Sequence, residues 1–396
     1  MSRRPAALTG SSLLILLVVA HATNDSFSGM LAALLPTFQV RFGVSEAVLA
    51  ALVGTLSFSS SVMQPLFGAV ADRLGRRAVG AAGVVTSSAL LSLMGAVQSV
   101  WLLFPLLLIG GLGSAAFHPS GTSIARNLNT RRKGVTVGLF SAGGTVGLAL
   151  GPLIIGYFVM NDILTFSPIL MIPGVILGLM MFFLIPRQER APVHARPKLF
   201  DLELFMGPVG VLCLAGIFRS IAWVTMSNAA GLWLVQDRGV STDSSVIFWT
   251  LTTFSFFGGL GGILAGMLER RVSRGVLISG SMLLALVPLF LLFVLPAGSF
   301  PYYLAVALSG ALINGGLPLM VVSAQDLAPH AMGTASGMLM GLTWGTAGLI
   351  YIGIGALQEV VGISASMALS FTTLVPGALL AQWVLRRNAQ ALSAAD

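Results

Sequence analysis

The sequence predicts an all-α integral membrane protein whose twelve transmembrane helices form two bundles of six. Of its 396 residues, 56% are hydrophobic and only 9% are charged, and the mean hydropathy is +0.94. A soluble domain has about 25% charged residues, so most of this chain must face lipid. Apolar stretches of about 20 residues, the length that spans a bilayer, recur along the whole chain. Small and charged residues also repeat between its two halves at a nearly constant separation.

Short polar or Gly- and Pro-rich breaks separate the predicted spans. In order, the spans run at 11–37, 46–70, 78–97, 101–124, 134–158, 164–185, 205–235, 245–268, 276–296, 301–324, 332–356 and 361–385. The first is too long for the core of a signal peptide, so we expect a retained membrane helix. The longest polar interval divides the spans six and six. It predicts an N-terminal bundle (1–186), a cytoplasmic linker (187–204) and a C-terminal bundle (205–396).

The distribution of Lys and Arg predicts the orientation. Eighteen of the 21 basic residues fall on the side of the N-terminus, Arg41 and Arg238 fall on the other side, and Arg219 lies within span 7. Cytoplasmic loops carry the excess of basic residues, so we expect both termini in the cytoplasm. Topology thus explains the net charge of +8, and no nucleic-acid partner is expected.

Span 1 carries polar groups on one face. His21, Asn24, Asp25 and Ser28 are spaced i, i+3, i+4 and i+7, which places them together on a helix. Asp25 lies about 20 Å into the span at 1.5 Å per residue. An ionised carboxylate there costs about 3 kcal/mol or more. The pattern therefore favours three roles: Asp25 and His21 exchange a proton, they form a static network, or they contact a bound molecule.

The loop after span 2 reads GAVADRLGRR (68–77). Small residues allow a tight turn, and Asp72 can exchange partners among the arginines. The second half repeats it as GMLERRVSR (266–274), which keeps Gly266, Arg271 and Arg274 but has Arg270 where the acid would fall. We therefore expect the two copies to differ.

The first copy resembles, position by position, the loop signature of the major facilitator superfamily, G-x-x-x-D-R-x-G-R-R. This resemblance implies the major facilitator fold, a monomeric secondary transporter without cofactor or metal, and a site between the two bundles. It also implies a cytoplasmic gate, which comprises Gly68, Asp72, Arg73, Arg76, Arg77 and Arg126.

Span 4 contains GGLGSAAFHPSG (110–121), and Leu107 stands where many proton antiporters of the superfamily have an arginine. Any proton coupling must therefore use other residues. Phe117-His118-Pro119 together with H-x-x-N-D at 21–25 resembles the fosmidomycin-resistance branch of small-drug exporters. Ser120 departs from that branch, in which an acidic residue often follows the proline.

Span 5 carries a glycine series with a proline. Its members are Gly143, Gly147, Gly151, Pro152 and Gly156. Glycines four residues apart let another helix approach closely, and proline kinks a helix. The series resembles the superfamily's antiporter motif, which is associated with proton-coupled drug exporters. Close packing alone is the alternative interpretation.

Arg219 lies near the middle of span 7 and cannot lose its proton. It must meet a carboxylate, an anion or water, or reach backbone carbonyls. In the superfamily fold, spans 1 and 7 are symmetry mates, so Asp25 is the expected partner. Spans 1, 4, 7 and 10 line the cavity, which implies a substrate site. Its expected residues are Arg219, Asn24, His118, Trp223 and Asn314, with Met226 as a further apolar wall.

Enzyme chemistry is not expected. The sequence lacks H-E-x-x-H, G-x-S-x-G and G-x-x-x-x-G-K-[ST], and four scattered histidines with one cysteine predict no metal site. We expect a proton-coupled antiporter in a prokaryotic inner membrane that exports a small anionic or zwitterionic drug or metabolite. A symporter importing an organic anion would use the same residues. A sensor without transport is the third alternative.

Overall fold

The structure is a computed structural model that describes residues 9–128, 133–186 and 202–389. These residues form helices joined by short turns, and none of them lies in a β-strand. Eleven helices are long and apolar enough to cross a membrane, and a bent pair adds a twelfth. The predicted fold class is therefore confirmed.

The helices follow the predicted spans in order. They are α1 (Gly10–Phe42), α2 (Glu46–Val62 with Gln64–Leu74), α3 (Arg76–Gly95), α4 (Val100–Leu128), α5 (Lys133–Met160), α6 (Leu164–Leu184), α7 (Pro208–Gln236), α8 (Ser245–Leu268), α9 (Arg274–Leu291), α10 (Phe300–Leu327), α11 (Met332–Val361) and α12 (Ile363–Arg387). Of the predicted linker, 187–201 lie outside the described residues. A short helix, Leu202–Met206, follows and leads into α7.

Local sequence explains where α1 ends and why α2 bends. The N–H of Gly43, at φ 61°, donates to the carbonyl of Gln39; glycine adopts this left-handed conformation readily. In α2, a π-helical turn at Phe58–Val62 precedes a second segment with Pro65 in its first turn. Both features disturb the regular hydrogen-bond pattern, and the two segments meet at 41°.

Two arginines cap helices at equivalent places in the two halves. Arg41 donates to the carbonyl of Gly95 at 2.9 Å, at the end of α3. Arg238 donates to the carbonyls of Phe293 and Leu295 at 2.8 and 2.5 Å, just after α9. Carbonyls at a helix C-terminus attract cations. These contacts give a structural reason for Arg41 and Arg238, the two basic residues predicted on the side opposite the N-terminus.

The two halves are joined at one end of the bundle. We call the end with loops 68–77 and 266–274 the arginine-rich end, and the other the opposite end. At the opposite end, Gln236 donates to Gln39 and Glu46, both at 2.8 Å. There too, the N–H of Ala47 donates to Glu359 at 2.9 Å.

Among the described residues, the arginine-rich end shows no such hydrogen bond between the halves. A further hydrogen bond between the halves joins Thr252 of α8 to the carbonyl of Ala149 in α5, at 2.8 Å. Toward the arginine-rich end, the hydrogen bonds and ion pairs among the described residues stay within one half. The bundle is therefore closed at the opposite end.

Candidate functional site

The glycine series of α5 brings this helix against α1. A Cβ would lie 2.5 Å from the carbonyl oxygen of Val18 if placed at Gly143, and 2.0 Å from that of Ala22 if placed at Gly147. At Gly151 it would lie 2.1 Å from the oxygen of Ser26. Real side chains do not approach this closely, so only glycine allows the two helices to pack in this way.

Of the last two members of the series, Pro152 continues the contact with α1 and Gly156 contacts another helix. Pro152 packs against Gly29 of α1, and a Cβ at Gly156 would lie 2.5 Å from the ring of Phe248 in α8. The series therefore joins α5 to its own bundle along most of its length and to the other half near its end.

Gly144 leaves room for the polar face of α1. A Cβ at this position would lie 2.5 Å from His21 Nε2 and 2.6 Å from Asp25 Oδ2. The spacing of the glycine series did not include it, because Gly144 faces the polar groups and not the α1 backbone. The sequence did contain a sign of this contact, namely a second glycine directly after Gly143.

Asp25 lies between two histidines. Its Oδ2 is 3.1 Å from His21 Nε2, one turn away on α1, and its Oδ1 is 3.2 Å from His118 Nε2 on α4. The Asp25 and His118 side chains remain 22% and 23% exposed, whereas His21 and Asn24 are buried. The carboxylate is therefore held by the protein and still accessible from the interior of the bundle.

Backbone carbonyls hold the other nitrogen of each ring. His21 Nδ1 lies 2.7 Å from the carbonyl oxygen of Phe140 in α5, and the two rings stack. His118 Nδ1 lies 2.8 Å from the oxygen of Ser114, one turn earlier on α4. Both imidazoles therefore present Nε2 to Asp25.

Asn24 supports Asp25. Its Nδ2 donates to Asp25 Oδ1 and to Ser114 Oγ, both at 2.9 Å, and its Oδ1 accepts from Ser87 Oγ of α3 at 2.7 Å. These bonds use both amide protons and one lone pair of the carbonyl. In this conformation the polar atoms of Asn24 bind within the N-terminal half, and the substrate contact at Asn24 stays a prediction.

The same three side chains are also close enough to hold a metal ion. Ligand atoms of His21, Asp25 and His118 lie within 4.8 Å of one another. Each Nε2-to-carboxylate distance is that of a direct hydrogen bond, so the contacts also form with protons alone.

Arg219 lies in the C-terminal half and is fully buried. It donates to Asn314 Oδ1 on α10 and to the adjacent Ser220 Oγ, both at 3.0 Å, and its Nε has no acceptor. The guanidinium lies 5.8 Å from the ring centre of Trp344 on α11. Among the described side chains, no carboxylate lies within ion-pairing distance of it.

The predicted ion pair between Asp25 and Arg219 is therefore not formed. The histidines and Asn24 contact both oxygens of Asp25 from within its own half. Arg219 finds its acceptors on α7 and α10. Each of the two groups finds its partners within its own half, and the two lie in separate contact networks.

Trp344, which lies beside Arg219, belongs to a cluster of aromatic side chains. Trp223 is buried against Phe254 and Trp344, at ring separations of 4.4 and 5.7 Å, and Met226 is also buried. Asn314 donates to the carbonyl of Gly258 at 3.3 Å. The structure thus places the predicted residues of spans 7 and 10 together. Trp344 was missed, because nothing in a lone tryptophan of span 11 points to a contact with span 7.

Asp72 of the first loop pairs with Arg76, at 2.8 Å. Arg76 also donates to Ser123 on α4, and Arg77 donates to the carbonyl of Ile185 at 3.2 Å. Arg73 and Arg126, also assigned to the predicted gate, form no ion pair with Asp72. Both of these arginines are exposed and have no hydrogen bond to another described residue.

Gly68 of the same loop lies beside α4, at a distance that would also accept a Cβ. A Cβ at this position would lie 3.6 Å from Pro119. The glycine therefore lies where the end of α2 meets the proline that follows His118.

The second loop has its acid one residue earlier than expected. Arg274 pairs with Glu269 and with Asp326 of α10. Arg270 does stand where the first loop has its acid, and Glu269 supplies the carboxylate from the preceding position. The two loops do differ, since the second holds its arginine with two carboxylates and the first with one.

The two six-helix halves, closed together at one end, and the polar groups within them define a polytopic membrane transporter. The model of the Major Facilitator Superfamily matches residues 17–352. The chain belongs to this superfamily.

Two relatives cover most of the chain. The MFS-type transporter YfnC of Bacillus subtilis (strain 168) is 27% identical, over 90% of this chain and 88% of its own. The fosmidomycin resistance protein of Escherichia coli (strain K12) is 24% identical, over 89% and 88%. The predicted resemblance to the drug-exporting branch is thereby confirmed.

Solved structures share the fold. A bacterial homologue of the human lysosomal transporter Spinster, in an inward-facing and occupied conformation, is 16% identical. The match covers 98% of this chain and 99% of that one, with a TM-score of 0.80.

Proposed function

We propose that this protein is a proton-coupled antiporter that exports a small compound by alternating access. The observation that carries the proposal is Asp25, half enclosed between His21 and His118. A carboxylate inside a transmembrane bundle is costly and marks a proton or ion pathway. Two imidazoles in contact with it provide groups that exchange protons near neutral pH.

Electrostatics limits which substrates an antiporter with this site could exchange for protons. A substrate competes with protons only if it prefers the cluster without them, when Asp25 is anionic. A donor or cationic group on the substrate meets this condition, and an anionic group on the same molecule can bind at Arg219, whose Nε lacks an acceptor. Of the anionic and zwitterionic compounds that the sequence suggested, the zwitterionic ones fit antiport better.

The runner-up is a symporter that imports an organic anion. The separation of Arg219 from Asp25 favours this alternative. Because Asp25 does not neutralise Arg219, protons on the histidines would add to the positive charge near the cavity. A simple anion would bind more tightly as protons bind. Antiport and symport thus differ in the sign of the coupling between proton and substrate.

The arginine-rich end is the one we assign to the cytoplasm, because basic loops stay inside. With that orientation, the described conformation is open toward the cytoplasm and closed outside. The proposed protein is a monomer in a bacterial inner membrane, with protons and a small molecule as its partners.

Transport into proteoliposomes with imposed pH gradients tests the proposal. Fosmidomycin is the first substrate to try, since a relative covering most of the chain is named for resistance to it. Inside-acid vesicles should take it up by exchange for protons in antiport, and outside-acid vesicles should accumulate it in symport. A growth screen of a deletion strain against toxic compounds supplies further substrates.

Thr23→Ala is a matched control, because Thr23 lies on α1 beside the cluster and its hydroxyl donates to the carbonyl of Val19, not to a group of the cluster. It should transport like the wild type. If folded wild-type protein shows no proton-dependent flux of any compound that the screen returns, the sensor interpretation replaces both transport proposals.

A further inference from the structure

The ring nitrogens of the two histidines have fixed roles in the cluster. A carbonyl oxygen can only accept a hydrogen bond. His21 Nδ1 faces the oxygen of Phe140 and His118 Nδ1 faces that of Ser114, so both Nδ1 atoms carry hydrogen. In the neutral form of each ring, Nε2 is then a bare acceptor.

Each bare Nε2 would face another acceptor. The oxygens of Asp25 lie 3.1 Å from His21 Nε2 and 3.2 Å from His118 Nε2. At these distances two acceptors repel unless a hydrogen lies between them. Both contacts are formed at once, and each uses a different oxygen of the carboxylate. Two contacts therefore need two protons beyond those on Nδ1.

From this count we infer that the cluster binds two exchangeable protons and that His118 carries the second. This inference rests on the proposed function and adds its stoichiometry. The cluster with both protons has a net charge of +1, whichever side of each contact holds the hydrogen. His118, which the sequence assigned to the substrate, belongs to the proton site.

The surroundings support this count. The titratable groups of α1 in the cluster are His21 and Asp25 themselves, and on α4 the facing group is His118; the other charged residue of α1, Arg41, lies in its last turn and bonds to the carbonyl of Gly95. From α3 and α5 the contacts are Ser87, which bonds to Asn24, and the backbone of Phe140. Among the described residues, no further acid or base forms an ion pair with the three. Arg219 of α7 bonds to other groups.

The protons come from water on one side of the membrane and return to water on the other. When both have left, two lone pairs face a carboxylate, and the contacts loosen. A donor group of the substrate can then bind the freed acceptors. Two protons and the substrate therefore occupy the cluster alternately.

The number of protons exchanged per substrate can be measured from the balance point, which is the substrate gradient at which net transport stops and reverses. Vesicles clamped at zero membrane potential with potassium and valinomycin receive a fixed pH gradient and a series of opposing substrate gradients. For two protons, a tenfold proton gradient should balance a substrate gradient of about 100-fold, and for one proton about tenfold. His118→Gln should lower the balance point from about 100-fold to about tenfold, and Thr23→Ala should not.

A second measurement needs no vesicles. In weakly buffered detergent solution with a pH indicator, saturating substrate should displace about two protons per wild-type molecule and about one per His118→Gln molecule. If that variant does not fold, His21→Gln replaces it with the same expectation, since each histidine makes one of the two contacts.

Three results would overturn the inference. They are a wild-type balance point at one proton, an unchanged two-proton balance in folded His118→Gln, and transport that a chelator abolishes and Zn²⁺ restores. The last would show that a metal ion holds the three side chains together. Absence of any proton-dependent flux in the wild type would instead reject the proposed function.

Discussion

Asp25 illustrates how much of a polar site a sequence can define. The i, i+3, i+4 spacing correctly predicts that His21, Asn24 and Asp25 share a face. The third partner, His118, could not be chosen from the sequence, because it lies on another helix and several polar residues of the predicted cavity set were equally suited. Its choice depends on how closely α1 and α4 pack.

Asp25→Asn should abolish gradient-driven accumulation and leave substrate exchange in place. The amide has a similar shape and still accepts a hydrogen bond, but it does not bind or release a proton near neutral pH. Uptake into proteoliposomes with and without a pH gradient measures the two activities. A variant whose accumulation keeps the pH dependence of the wild type would place the proton site elsewhere.

Arg219→Gln should stabilise the substrate-free protein and weaken substrate binding. A buried guanidinium without a carboxylate carries a desolvation cost, which glutamine removes while it can still donate to Asn314. We expect the melting temperature to rise, by about 2–4 °C for each kcal/mol gained. Substrate affinity should fall about 10- to 100-fold, the loss expected for a charged hydrogen bond.

Thermal unfolding in detergent and equilibrium substrate binding separate these two effects. A melting temperature well below the wild-type value would mean that the guanidinium is mainly structural. Unchanged substrate affinity would remove Arg219 from the substrate site.

At the scale of the helix, span length and charge gave the twelve elements with few errors, because lipid imposes a minimum length of apolar sequence. The short helix Leu202–Met206 and the π-helical turns, Phe58–Val62 and Met338–Leu342, were not predicted. These features depend on packing against neighbours and have no periodic signature. The pairing of Glu269 with Arg274 was not predicted, because the comparison of the two loops aligned Asp72 with Arg270.

The glycine series of α5 offers a matched pair of substitutions. Gly147→Val should destabilise the protein by about 3 kcal/mol or more, since its Cβ would lie 2.0 Å from the carbonyl oxygen of Ala22. Gly138→Ala on the same helix should have little effect, because no atom lies within 4 Å of a Cβ there. Thermal unfolding of both variants in one detergent measures the difference. Equal melting temperatures would show that α5 does not pack closely on α1.

At the scale of the whole molecule, the internal repeat predicted two equivalent halves but not which end of the bundle is closed. Alternating states of a transporter differ by only a few kcal/mol, and one sequence must encode both. The contacts that decide the closed end, such as that of Gln236 with Gln39 and Glu46, join exposed or half-buried polar side chains whose pairing leaves no pattern in the chain.

A cross-link at the opposite end should lock the described conformation and stop transport. The lone cysteine, Cys213, is buried, so Cys213→Ala provides a background without thiols. In it, Gln39→Cys with Gln236→Cys places two thiols where the halves meet, since these side chains bond at 2.8 Å. A short bifunctional thiol reagent should abolish exchange, whereas each single cysteine variant treated in the same way should keep it.

The locked protein should still bind substrate from the arginine-rich end, because the halves make no hydrogen bond there among the described residues. Undiminished exchange after complete cross-linking would show that this end does not need to open.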